Sequence, residues 1–94
     1  MLRKTIPVAR RVLGDGHALT LRMKKIYADV LYRNIGATLD DLREAVTTLE
    51  ETDRTARRVL GGTHPTVANI GVSLRAARTV LRIRETPEEY LRNS

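Results

Sequence analysis

The sequence contains no cysteine, no tryptophan and no phenylalanine, and its only aromatic residues are three tyrosines. Without cysteine, neither a disulfide framework nor a thiolate metal site can form. A chain of 94 residues can bury one modest core, and that core must consist of leucine, valine, isoleucine and alanine. We therefore predict a single domain, spanning residues 1–94, that is held together by aliphatic packing.

Long apolar runs are also missing. No segment approaches the roughly 20 apolar residues that a transmembrane helix needs, and the N-terminus lacks the continuous apolar segment of a secretory signal. The absence of cysteine is typical of a reducing compartment. We expect a cytoplasmic protein without a membrane partner.

Charge is plentiful, but its signs occur in blocks. The net charge of +6 divides into a basic segment 1–33, an acidic segment 40–53, a basic segment 54–84 and an acidic end that starts at Glu85. Most of the basic residues are arginine, which makes bidentate contacts with carboxylates and phosphates. This pattern is compatible with an acidic partner and equally with ion pairs inside the chain.

Apolar residues recur at intervals of three and four along most of the chain, which predicts an all-α fold. Glycines and terminal charges mark the helix ends. The predicted helices span approximately 6–13, 18–34, 39–60, 65–85 and, as a short last helix, 87–92. We place Pro7 at a first helical position. The apolar face of the second helix is predicted to comprise Leu19, Met23, Ile26, Tyr27, Val30 and Leu31. Short connections favour antiparallel helical hairpins.

One phrase occurs twice, 47 residues apart. It reads ARRVLGDGHALT over residues 9–20 and ARRVLGGTHPTV over residues 56–67. In each copy a helix stops at a glycine, Gly14 or Gly61, and the next helix begins near a histidine, His17 or His64. We interpret both copies as helix-to-helix corners, and their period lies in the range of helical solenoid repeats.

The corner Val-Leu-Gly-x-x-His-Pro-Thr at residues 59–66 resembles the corner between tetratricopeptide repeats of the kinesin-light-chain type. Tyr27 and Ala28 resemble the paired large and small residues of that family's first helix, and Leu42 with Ala45 resemble its second helix. The resemblance covers roughly residues 9–85 and about two partial repeats. It implies a right-handed array of about four helices that acts as a scaffold. Arg75 stands where the family has a small residue, so helix 65–85 is expected to be a polar cap.

The resemblance implies a non-catalytic module that binds a peptide or helix of a partner protein on exposed residues of the second helix. The implied partner-binding residues are Arg22, Lys25, Asp29, Tyr32 and Arg33. A merely solvated helix face is the alternative for each of them.

The residues give little support to metal binding, phosphate binding or catalysis. His17 and His64 have no cysteine and few nearby carboxylates that would complete a metal site. Gly61 and Gly62 lack the lysine and preceding strand of a phosphate-binding loop, and no motif would activate Ser73 as a nucleophile. We therefore predict no enzyme activity, no metal and no cofactor.

Three alternatives stay open. A pI near 10.5 and the arginines of segment 75–84 favour nucleic acid, although three tyrosines offer little for base stacking. A homo-oligomer is possible because fewer than three repeats leave apolar faces uncovered. The basic N-terminal segment 1–14 also has the composition of a mitochondrial targeting segment, but its second half is the repeated corner phrase, which favours a helix.

Overall fold

The computed structural model describes residues 2–14 and 16–86, and within them it contains four α-helices and no strand. The helices are α1 (Leu2–Leu13), α2 (Ala18–Arg33), α3 (Leu39–Leu60) and α4 (Pro65–Glu85). These elements confirm the all-α prediction, and the bounds of α3 and α4 are those predicted. The predicted helix 87–92 lies outside the described residues.

Helix α1 begins earlier than predicted. Pro7 lies inside it, so the prediction that Pro7 occupies a first helical position is wrong. In a helix that begins at Leu2, the missing N–H of Pro7 would have bonded to the carbonyl of Arg3. Nε of Arg3 donates to the hydroxyl of Tyr27 at 2.9 Å, which links this turn of α1 to α2.

The two copies of the repeated phrase form two corners with matching geometry. Gly14 and Gly61 have φ angles of +91° and +87°, in the region that favours glycine. His17 and His64 precede α2 and α4 with ψ angles of 136° and 137°. The Nδ1 atom of each accepts a hydrogen bond of 3.1 Å from the backbone N–H two residues later. Both histidines are therefore N-caps, which is the helix-start role that the sequence predicts.

The corner between α2 and α3 uses different chemistry. Helix α2 ends at Arg33, and the side chain of Asn34 accepts a hydrogen bond of 2.9 Å from the N–H of Gly36. Thr38 and Asp41 then form a reciprocal capping box at the start of α3. The Thr-x-x-Asp spacing is a known signature of a helix start, which apolar periodicity does not contain.

Consecutive helices pack against each other, and α2 also packs against α4. The core is aliphatic, as predicted from the composition. Its fully buried large side chains are Leu21, Leu42, Leu49, Ile70 and Val67. Because connections of four or five residues join packed helices, neighbouring helices run antiparallel.

The buried side of α2 differs from the predicted one. Leu21 and Ala28 are fully buried, whereas Leu19, Ile26 and Val30 are 38%, 49% and 60% exposed. These three belong to the apolar face that the sequence predicts, but that face is not the side of α2 that the fold buries. The physical reason is that α2 carries two apolar stripes, and its described neighbours cover only one of them.

The charge blocks meet within the chain. Glu50 of the acidic segment pairs with Arg78 of α4 at 2.9 Å, and Arg43 pairs with Glu85 at 3.3 Å. Part of the acidic segment is therefore neutralised internally. None of the described helices has a stretch long and apolar enough to cross a membrane.

Candidate functional site

Helices α2 and α4 can be compared residue by residue. Their N-caps, His17 and His64, are 47 residues apart and have nearly identical backbone angles. A shift of 47 therefore relates each position of α2 to its counterpart in α4. Differences in burial between counterparts then show which neighbours each helix has.

One side of α2 is exposed where the same side of α4 is buried. We call this side of α2 the open face, and it consists of Leu19, Met23, Ile26 and Val30. Their counterparts, in the same order, are Thr66, Ile70, Ser73 and Ala77. The counterparts are 8%, 0%, 3% and 0% exposed, whereas Met23 is partly exposed and the other three open-face side chains are 38% to 60% exposed. Helix α4 packs against both α3 and α2, and no described helix covers the open face in an equivalent way.

Another side of α2 is buried where the same side of α4 is exposed. Leu21, Ala28 and Tyr32 of α2 are buried. Their counterparts Ala68, Arg75 and Thr79 in α4 are exposed. The described array thus has two unlike ends, an apolar one on α2 and a more polar one on α4.

Basic residues border the open face. Arg22 follows Leu19 by three positions and precedes Ile26 by four, and Arg33 follows Val30 by three, so both arginines lie beside these side chains. Both are exposed. Helices α1 and α2 together contain eight basic residues and one acidic residue.

That acidic residue, Asp29, is only 9% exposed. Its Oδ2 pairs with Nζ of Lys25 at 2.7 Å. Its Oδ1 is buried and has no hydrogen-bond partner among the described residues. Lys25 therefore offsets the charge of Asp29 locally, and the exposed Arg22 and Arg33 make the border of the open face basic.

The five predicted partner-binding residues separate into two groups. Arg22 and Arg33 are exposed, as expected. Asp29 and Tyr32 are buried, with Tyr32 7% exposed, and Lys25 is partly buried in its ion pair. The expectation that all five lie on an exposed face is wrong, because the side of α2 that contains Asp29 and Tyr32 is packed within the fold.

Arg33 remains tied to this buried group. Its guanidinium lies 5.7 Å from the centre of the Tyr32 ring, within the range of a cation–π contact. Hydrogen bonding to Tyr32 is the main cause that raises the pKa of Arg33, and the Asp29 carboxylate adds to it. Arg33 is therefore a fixed positive charge at one end of the open face.

A second surface feature is a cleft of about 280 Å³ between α1, α2 and α3. Arg3 and Tyr27 line it, and the Tyr27 hydroxyl donates a hydrogen bond to Glu44 while it accepts one from Arg3. Burial, followed by the bond to Glu44, raises the pKa of Tyr27. Two further cations of the cleft, Arg10 and Lys24, also have interaction partners. The cleft residues therefore serve mainly to join α1 to α2 and α3.

Among the described residues, no group of three or more histidine, aspartate or glutamate side chains is placed to hold a metal ion. Both histidines already use Nδ1 to cap helices. The open face is thus an apolar surface whose counterpart on α4 is buried. No family model, curated protein or solved structure matches the chain.

Proposed function

We propose that the chain is a non-catalytic protein-interaction module and that the open face of α2 is its binding surface. The observation that carries the proposal is the contrast between Leu19, Ile26 and Val30, which are exposed, and their counterparts in α4, which are buried. The same structural position is covered in one helix and uncovered in the other.

The apolar area involved favours binding over a purely solvated role. Single exposed hydrophobic residues are ordinary, but a contiguous apolar patch marks an interaction site. The open face is contiguous, because its members follow one another at helical spacings of four, three and four residues. Full burial of a fully exposed side chain of this kind is worth about 1.5–3 kcal/mol. Leu19, Ile26 and Val30 are 38% to 60% exposed, so covering each of them would contribute roughly half of that amount.

The helical-repeat type remains part of this proposal. Two corners with matching hydrogen bonds, and the packing of α2 against the alternate helix α4, are features that a tetratricopeptide-like array would have. The absence of catalysis is likewise proposed. It is supported by the burial of Ser73, which is 3% exposed, and by the capping roles of His17 and His64.

Affinity capture with the purified chain tests the proposal. The wild type is compared with Ile26→Glu and with the matched control Val72→Glu, which places the same charge on an exposed valine of α4. We expect a retained protein to be lost with Ile26→Glu and kept with Val72→Glu. Equal retention by all three chains would contradict the proposal.

Capture at two salt concentrations separates the nucleic-acid alternative. Binding to phosphates weakens steeply with salt because counterions are released, whereas apolar contacts with Leu19, Ile26 and Val30 lose much less. Retention of nucleic acid alone, with a steep loss at the higher salt concentration, would replace the protein-binding proposal by the nucleic-acid one.

A further inference from the structure

We infer that the occupant of the open face is a single amphipathic α-helix of a partner protein, with an apolar ridge bordered by acidic residues. This inference rests on the proposed function and specifies the class of partner. The partner helix would pack against α2 in the same way that α2 packs against α4.

The shape of the face favours a helix. The counterparts of the open-face residues are buried in α4: they are Thr66, Ile70, Ser73 and Ala77. Among the described elements, α4 packs against the helices α2 and α3, so helices cover these positions. From Leu19 to Val30 the face extends about 16 Å at 1.5 Å per residue. A partner helix of about three turns, with apolar residues at the same spacings, would cover that length.

The border of the face determines the charge of the occupant. Arg22 and Arg33 are exposed beside it, and the acidic residue of α2, Asp29, is already paired with Lys25. Acidic residues along the side of the partner's ridge that lies next to Arg22 and Arg33 would complement these cations. A basic ridge would face like charges instead.

The same charges disfavour a second copy of the chain. Two open faces brought together would place Arg22 and Arg33 of one copy near those of the other, and like charges across an interface are destabilising. Stacking head to tail would place the open face against the other end of the array, where Arg75 is exposed. An acidic helix of another protein complements the open face better than either arrangement of two copies.

Two synthetic helical peptides test the inference directly. They share one leucine ridge, and one has glutamate and the other lysine at the bordering positions. Binding to the full chain is measured by fluorescence anisotropy at low salt. We expect the glutamate peptide to bind at least about tenfold more tightly than the lysine peptide, a difference that one or two charge contacts can supply.

Variants then locate the site. Ile26→Glu should weaken binding of the glutamate peptide by about tenfold or more, since it removes an apolar contact and adds a like charge. Val72→Glu should leave binding unchanged. Because Ile26 is already 49% exposed, the variant is expected to fold, and circular dichroism checks this. Amide hydrogen exchange should slow within residues 19–30 when the glutamate peptide binds.

Several outcomes would overturn the inference. Equal binding of the two peptides would refute the acidic partner, and binding that Ile26→Glu does not affect would refute the site. A dimer that Ile26→Glu dissociates would identify a second copy as the occupant. Peptide binding that appears only after removal of residues 87–94 would identify that segment as the occupant. If neither peptide binds while capture of a protein still depends on Ile26, the helix assignment fails and the proposed function stands.

Discussion

At the scale of single residues, each of the two matching corners depends on one glycine and one histidine. Gly61 ends α3 with a positive φ angle, and its N–H bonds to the carbonyl of Arg57 at 3.2 Å. Three residues later His64 starts α4 with its Nδ1 atom as the acceptor. The repeated phrase therefore has a structural role. Its glycine ends one helix, and its histidine begins the next helix a few residues later.

His64→Ala is expected to destabilise the fold by about 1 kcal/mol, since loss of an N-cap acceptor typically costs about 0.5–2 kcal/mol. His64→Asn retains a capping side chain and should lose much less. Urea denaturation followed by circular dichroism measures both. His17→Ala provides a second test of the same geometry, and identical stability of the wild type and both alanine variants would show that the histidine caps contribute nothing.

Gly61→Ala should also be destabilising, by about 1–2 kcal/mol, because a side chain is strained at a φ angle of +87°. Gly62 is the matched control. It has no positive φ, and a Cβ atom there would meet nothing within 4 Å, so Gly62→Ala should be neutral or slightly stabilising. Thermal denaturation of the pair gives the difference, and equal melting temperatures would contradict the role assigned to Gly61.

At the scale of elements, the ends of α3 and α4 are predictable from the sequence, whereas the start of α1 and the buried face of α2 are not. Glycine stops and terminal charges are local signals, and they placed α3 and α4 correctly. Periodicity identified the stripe containing Leu19, Ile26 and Val30, but α2 has a second stripe containing Leu21 and Ala28. Which stripe is buried depends on where α3 and α4 pack, and that information is tertiary.

The candidate site shows the same limit. Arg22 and Arg33 were placed correctly at the surface of α2, but Asp29 and Tyr32 are buried. Polar residues on a helix are expected at the surface, and the ion pair with Lys25 is what allows Asp29 to be an exception. A helical pattern alone does not reveal such a pair as buried. The apolar character of the open face is visible in the sequence, but its exposure depends on which helices pack against α2.

Matched substitutions at two counterparts test the difference between α2 and α4. Val30→Gln should change the free energy of unfolding by no more than about 0.5 kcal/mol, as is usual at exposed positions. Ala77→Gln should destabilise by about 2 kcal/mol or more, because a larger polar side chain would enter a site with no exposure. Denaturant titration compares the two. Equal losses would mean that the open face is covered within the chain.

At the scale of the whole molecule, the chain is thin and its charge is asymmetric. The backbone extends over 47 × 30 × 14 Å, and a thickness of 14 Å corresponds to about two helix layers at their usual spacing of 8–10 Å. The acidic residues of the described chain are concentrated in α3, where they meet Arg43, Arg57 and Arg78. Positive charge is left in excess on α1 and α2, and two of these cations, Arg22 and Arg33, lie beside the open face.

This asymmetry predicts that salt acts in opposite directions on two kinds of association. Charges are screened over about 10 Å at 0.1 M salt and about 3 Å at 1 M. An acidic helix bound beside Arg22 and Arg33 should therefore bind more weakly as salt rises. Contact between two copies through the open face should be suppressed at low salt by like charges and should increase at high salt, where apolar burial of Ile26 and Val30 is no longer opposed. Light scattering over a salt series measures the second effect and peptide titration the first. Ile26→Glu should abolish the salt-induced association, and association that is strongest at low salt would show that complementary charges, rather than the open face, bring copies together.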